Sequence, residues 1–115
     1  MISSDVIRGY IDTILLGVLQ EGDSYGYAIS KEIAGRSGGS YTIKETTLYS
    51  AMARLERREL VCSYYGEESF GRRRTYYRIT GQGRAYYREK CEEWRQTKQL
   101  IDRFTGEGER DAADQ

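Results

Sequence analysis

The stretch that decides the fold runs from Lys44 to Thr80, KETTLYSAMARLERRELVCSYYGEESFGRRRTYYRIT. From Glu45 to Arg58 the apolar residues Leu48, Met52 and Leu55 recur at helical spacing with Ala51 beside them, which predicts an amphipathic helix with one core-facing stripe. Thr46, Ser50, Ala53, Arg54 and Arg57 fall opposite that stripe, and Thr47 and Tyr49 lie on its flanks. Short hydroxyls, a phenol and guanidinia are the groups with which a helix enters a major groove and bonds to phosphates and base edges. A plain solvated face has the same composition, so the helix alone leaves both readings open.

The residues that follow tip the balance. Val61 to Tyr65 and Arg72 to Ile79 are rich in aromatic and β-branched side chains, and Gly66 and Gly71 bracket the connecting residues Glu67 to Phe70. That pattern predicts a β-hairpin with a longer loop. By the period of two, Arg72, Arg74, Tyr76 and Arg78 share one cationic face while Thr75, Tyr77 and Ile79 share a face that can pack. A polar-faced helix followed by an arginine-tipped hairpin is the recognition helix and wing of a winged helix-turn-helix.

Three motifs carry a resemblance to a known family. TTLYSAMARLERRELV is similar to the recognition-helix motif of PadR-type transcriptional regulators, GRRRTYYRIT resembles their wing, and SYGYAI (Ser24 to Ile29) precedes both in the same order. Ser50 stands where most of that family has proline, which relaxes a helix constraint without removing the fold. The resemblance implies a sequence-specific DNA-binding regulator, a homodimeric repressor of an inverted repeat, with no enzymatic activity and no cofactor. Its DNA-binding residues would be Ser24, Tyr25, Lys44, Thr46, Thr47, Tyr49, Ser50, Arg54, Arg72, Arg73 and Arg74. The rival reading is a winged-helix module that binds protein partners, its arginines only solvating the wing.

Composition sets outer bounds. A chain of 115 residues with 38% hydrophobic content makes one domain with a modest core. Formal net charge is zero, yet residues 1–43 carry 3 basic and 5 acidic side chains, residues 44–80 carry 8 and 5, and residues 81–115 carry 7 and 8. The helix and hairpin are thus the single positive segment, a local field of the sign that nucleic acid requires. There is no histidine or proline, and the two cysteines, Cys62 and Cys91, have no paired spacing, which argues against a zinc site. Two reduced, partly buried thiols in a cytoplasm are expected, with a redox switch as the alternative. The longest apolar run, Ile14 to Leu19, is too short to span a bilayer and no leader opens the chain, so a soluble, cytoplasmic protein is expected. Without histidine, a glycine-rich phosphate loop or an adjacent nucleophile and base, no catalytic constellation can be assembled.

In chain order, Ser3, Ser4 and Asp5 offer caps to a helix through Leu19, with Ile7, Ile11, Ile14, Leu15 and Val18 as its main stripe. Gly9, Asp12, Thr13 and Leu16 form a second stripe facing another chain. Asp23 or Ser24 caps a helix from Tyr25 to Arg36, whose N-terminus suits a phosphate, and Tyr41 to Ile43 is predicted as the third strand of the wing sheet. Thr80 caps a helix to Phe104 with a coiled-coil-like seam of Tyr87, Cys91, Trp94, Thr97, Ile101 and Phe104. This divides the chain into an α+β, mainly helical DNA-binding unit at 1–80, a dimerisation helix at 81–105 that packs with the first helix, and a disordered tail at 106–115.

Trp94 reads by itself as an aromatic dimer-core residue. In small drug-responsive members of the resembled family, a tryptophan at this point pairs across the two-fold axis and sandwiches flat hydrophobic molecules. CEEWRQTKQLI is similar to that arrangement, which implies a ligand site of Trp94, Lys98, Asp12, Thr13 and Leu16 and dimer contacts by Tyr87, Cys91, Trp94, Ile101 and Phe104.

Overall fold

The structure, a computed structural model, describes residues 2–69 and 72–106, with the side chains of 67–69 and 72 left out. The hairpin residues Phe70 and Gly71, the Arg72 side chain and, of the tail expected at 106–115, residues 107–115 therefore lie outside the described residues.

Ser3 opens the first helical stretch, its Oγ accepting a hydrogen bond from the Val6 N–H at 3.3 Å. The expected single helix is three consecutive pieces: α1 (Ser4–Ile7), a 3-10 turn (Arg8–Tyr10) and α2 (Ile11–Leu19). Gly9, which has the weakest helix preference of any residue but proline, sits in that turn. α2 is wrapped on several sides, touching helices α3 (Gly26–Arg36), α4 (Glu45–Arg57) and α5 (Gly81–Thr105) and strand β3 (Arg72–Ile79). Leu15, Leu16 and Leu19 are accordingly sealed in the core with Ile29, Leu48, Met52, Leu55 and Val61. Leu16, expected on a stripe facing another chain, is thus a core residue, because the same chain covers both flanks of α2.

The sheet has three antiparallel strands in the order β1-β3-β2, where β2 is Val61–Ser69. β2 runs four residues beyond the expected Tyr65, through a register shift between Tyr65 and Glu68. The third strand is not Tyr41 to Ile43. It is β1, Ser24–Tyr25, pairing Ser24 with Tyr77 and Tyr25 with Tyr76. At Tyr41 both backbone groups are taken by one side chain: Ser37 Oγ donates to the Tyr41 carbonyl at 3.1 Å and accepts from its N–H at 3.2 Å. Tyr41, so held, has no backbone N–H left for a ladder. Pairing of Ser24 and Tyr25 in the sheet likewise delays α3 to Gly26, with no side-chain cap at Tyr25.

α4 has the expected architecture, burying Leu48, Ala51, Met52 and Leu55. Glu59, at φ 62, turns the chain from α4 into β2. Thr80 caps α5 as expected, accepting from the Gly83 N–H at 2.9 Å, and it also donates to the Glu59 carbonyl at 2.7 Å. Gly83 is the one buried residue of α5, pressed against the carbonyl of Leu60, where a Cβ would collide with backbone. Farther along, Tyr86 and Tyr87 pack on the core, and beyond them Leu100, Ile101 and Phe104 are exposed. At about 1.5 Å per residue the helix is roughly 37 Å long, so its far half projects from the rest.

Gly83→Ala should therefore destabilise the protein by about 1–3 kcal/mol, the usual cost of overpacking. Gly81→Ala, at an open position on the same helix, should be neutral or slightly stabilising. Urea unfolding of the two variants checks the contrast.

Candidate nucleic-acid interface

The outward face of α4 presents Thr46, Tyr49, Ser50, Ala53 and Arg57 to solvent, with Lys44 exposed at its start and Thr47 half-buried. Tyr49 folds over the start of α3 so closely that a Cβ at Gly26 would strike its hydroxyl. Glycine at 26 is what lets the two helices meet there. Between Tyr25, Tyr27, Tyr49, Arg73, Arg74 and Thr75 lies a cleft of about 530 Å³. It brings together Tyr25, Tyr49, Arg73 and Arg74, four positions expected from sequence, and adds Tyr27 and Thr75. Tyr27 was missed because it was read as one more residue of the capped helix. Its signal is position, for it stands in the first turn of α3 at 65% exposure, with Lys31 one helical turn on and 5.2 Å from its ring.

The wing arginines lie along aromatic rings. Arg74 sits 4.2 Å from the Tyr25 ring centre and Arg73 5.6 Å from that of Tyr65. The outer face of the sheet continues this pattern: Tyr64 stacks on Tyr76 at 5.7 Å, Tyr25 meets Tyr76 edge-on at 5.4 Å, and Arg78 lies 5.0 Å over Tyr64. Asp23 closes the ladder, accepting from the Tyr64 hydroxyl at 2.5 Å and from Arg78 Nε at 3.1 Å. The cationic strand face expected from sequence is therefore partly neutralised at Arg78, and Asp23 serves the wing rather than capping α3. The Tyr64 hydroxyl first, and the Arg78 guanidinium after it, hold the Asp23 carboxyl below its ordinary value.

Arg54, expected to point at bases, is paired with Asp12 across 2.5 Å. That contact moves Asp12 away from the ligand site to which the sequence reading assigned it. Of that proposed site, Thr13 and Trp94 do come together, in a groove of about 390 Å³ whose other walls include Asp5, Tyr10, Lys90 and Glu93. Leu16 is sealed in the core and cannot line it, and Lys98 lies outside it, exposed. Tyr10, missed from the sequence, meets Trp94 edge-on at 5.1 Å. The seam residues Ile101 and Phe104 are 53% and 82% exposed, and Leu100 widens their patch. Tyr87 packs on the core, beside Gly17, rather than belonging to the free part of the seam. Cys62 and Cys91 are both exposed free thiols, not partly buried ones. Among the described residues no group of three acidic, cysteine or histidine side chains could hold a metal ion, and no helix is long and apolar enough to cross a membrane.

A helix-and-wing surface of this shape has relatives. Residues 15–89 match the transcriptional regulator PadR-like family. The chain belongs to that family. Its members are transcriptional regulators and not enzymes. The PadR-like match ends before Trp94, but the structure of a transcriptional regulator from Clostridium thermocellum covers 90% of this chain and 98% of its own, at 62% identity and a TM-score of 0.84. A PadR family transcription regulator from Clostridium difficile R20291 is 37% identical over 84% of this chain and 98% of its own, with a TM-score of 0.72. The structure of Bacillus subtilis PadR in complex with operator DNA has a TM-score of 0.66, covers 74% of this chain and 48% of its own, and at 18% identity shows the shared winged-helix fold alone.

The Asp23 contacts yield a pH prediction. Its carboxyl is depressed in the folded state, so its contribution is complete above the unfolded value and is lost as pH falls through the folded one. Asp23→Asn should therefore lower stability at neutral pH and flatten the decline below about pH 4. Urea midpoints measured from neutral to acid pH should converge for wild type and variant. Parallel curves would contradict it.

Proposed function

We propose that this PadR-like protein is a homodimeric repressor that binds an inverted repeat of duplex DNA in the cytoplasm. The observation that carries the reading is the meeting of Tyr49 of α4 with the wing arginines Arg73 and Arg74 around one tyrosine-lined cleft, on a helix whose Thr46 and Ser50 are also exposed. A groove-filling helix beside a cation-bearing hairpin fits a duplex, whose major groove takes the helix and whose phosphates take the guanidinia. Thr46, Thr47 and Ser50 would meet base edges. Tyr25 and the amide end of α3 at Gly26 line the same cleft and suit a phosphate, with Ser24 one residue before them, and Lys44 stands at the start of α4 for another. Aromatic rings beneath Arg73 and Arg74 limit how far those side chains wander before they dock.

The far half of α5 supports dimerisation, since Leu100, Ile101 and Phe104 form an exposed apolar patch among the described residues. Two copies joined there would set their α4 helices about one turn of DNA apart, roughly 34 Å. The Trp94 groove supports a ligand-responsive repressor. An edge-on tyrosine and an indole, both beside Thr13 of α2, suit a flat hydrophobic molecule, and its release of DNA requires only that it prefer one spacing of the two wings.

Three experiments test this. In anisotropy titrations, Arg73→Ala and Arg74→Ala should weaken binding to specific and random duplexes alike, each lowering the salt slope by about one ion or less. Thr46→Ala and Ser50→Ala should cost about 1–3 kcal/mol on the specific duplex and little on random DNA. Binding that ignores salt and sequence would point instead to a protein-interaction module. Ile101→Glu combined with Phe104→Glu should give monomers by light scattering. A planar hydrophobic dye should quench Trp94 at about one molecule per dimer, with micromolar affinity that Trp94→Ala removes. Dye binding untouched by that change would leave the tryptophan a packing residue.

A further inference from the structure

Asp12 and Arg54 stand 42 positions apart, on the first turn of α2 and on the outward side of α4, and Arg54 Nη2 donates to Asp12 Oδ1 at 2.5 Å. The two ends of this bond are unlike. The Asp12 side chain is 18% exposed, fixed on a helix whose neighbouring Ile11, Leu15 and Leu16 are buried, whereas Arg54 is 46% exposed. The carboxylate is thus the anchor, and the guanidinium is what solvent or a ligand meets. Beside the pair, Arg8, Thr46, Thr47 and Ser50 frame a cavity of about 290 Å³ that opens on the same face of α4 as the hydroxyls assigned to base edges.

We propose that Asp12 is a positioning residue for base recognition: by holding one amino group of Arg54 it fixes the plane of the guanidinium, so that the remaining donors meet the O6 and N7 acceptors of a guanine in the major groove. The proposal rests on the DNA-binding reading above and gives it a specificity determinant outside the recognition helix. Two physical effects follow. A guanidinium already held at one corner loses less rotamer freedom when it docks, and a two-point contact with guanine depends on its plane. A charge already paired with a carboxylate also contributes less to indiscriminate attraction for phosphates. Asp12 therefore strengthens binding to the right sequence and weakens binding to every other. A clamp that merely blocked Arg54 would weaken both, and a purely structural tie would leave the ratio alone.

The test begins by enriching duplexes with a randomised core on the full-length wild-type protein. Wild type, Asp12→Asn, Arg54→Gln and the double variant are then titrated against the enriched duplex, its single-base variants and a scrambled duplex over a range of salt. The proposal expects Asp12→Asn to bind the scrambled duplex more tightly with a salt slope raised by up to about one ion, to lose on the order of tenfold in specificity ratio, and to relax the same base pair as Arg54→Gln. The double variant should be no less specific than Arg54→Gln alone, because Asp12 acts through Arg54. Asp12→Glu, which keeps the charge and lengthens the arm by one methylene, should relax that base pair without tightening binding to the scrambled duplex, and it stands in should Asp12→Asn fail to fold. Unchanged base preference in these variants, or losses that add to those of Arg54→Gln, would overturn the proposal while leaving DNA binding in place. A wild-type protein that enriches no duplex would overturn the DNA-binding reading and this proposal together.

Discussion

Burial of α2 on nearly all sides is the constraint on which the rest of the molecule depends. Leu15, Leu16 and Leu19 occupy the centre of one small core, and α3, α4, α5 and β3 are all arranged against them. With the helix so enclosed, its few polar positions are forced into the seams between its neighbours. Asp12 emerges beside α4 and reaches Arg54, Thr13 emerges beside Trp94, and Gly17 leaves room for the Tyr87 ring of α5. A helix that touches the recognition element at one residue and the aromatic groove at the next is a short mechanical route between them. Any ligand-dependent shift of α2 would move both, which is how a molecule in the groove could alter DNA binding without approaching it.

Charge is distributed by the same logic. The chain is neutral overall, yet the carboxylates are placed to remove particular arginines from general circulation: Asp12 holds Arg54, Asp23 holds Arg78, Glu32 and Glu21 hold Arg36, and Glu92 holds Arg95. Arg73 and Arg74 lie over the rings of Tyr65 and Tyr25. A cation stacked on a ring keeps its attraction for a phosphate, whereas one bonded to a carboxylate has most of its field cancelled nearby.

Much of this was legible in the sequence, and the failures have identifiable causes. The α4 stripe and the hairpin were readable because periods of 3.6 and 2 sustained over several residues survive any tertiary context. A two-residue strand has no period, so β1 at Ser24–Tyr25 was invisible, and the serine that satisfies Tyr41 acts through geometry that spacing does not reveal. Leu16 was misassigned because a periodic pattern shows which face is apolar and not how many neighbours will cover a helix. The resemblance named Thr13 and Trp94, which do line one groove, but it missed Tyr10, which enters through a 3-10 turn, and it included Asp12, which is held by a partner 42 positions away. Long-range ion pairs were the least readable feature, and they decide which arginines are available.

The central claim is that α4 and the wing together form the surface that meets DNA, and that two such surfaces act at once. Hydroxyl-radical footprinting on an enriched duplex tests it most directly. The account predicts two protected segments on one face of the duplex, about one helical turn apart, both lost when Thr46, Ser50, Arg73 and Arg74 are replaced together by alanine in a protein that stays folded and dimeric. A single or uniform protected region, or a footprint that survives those replacements, would contradict it.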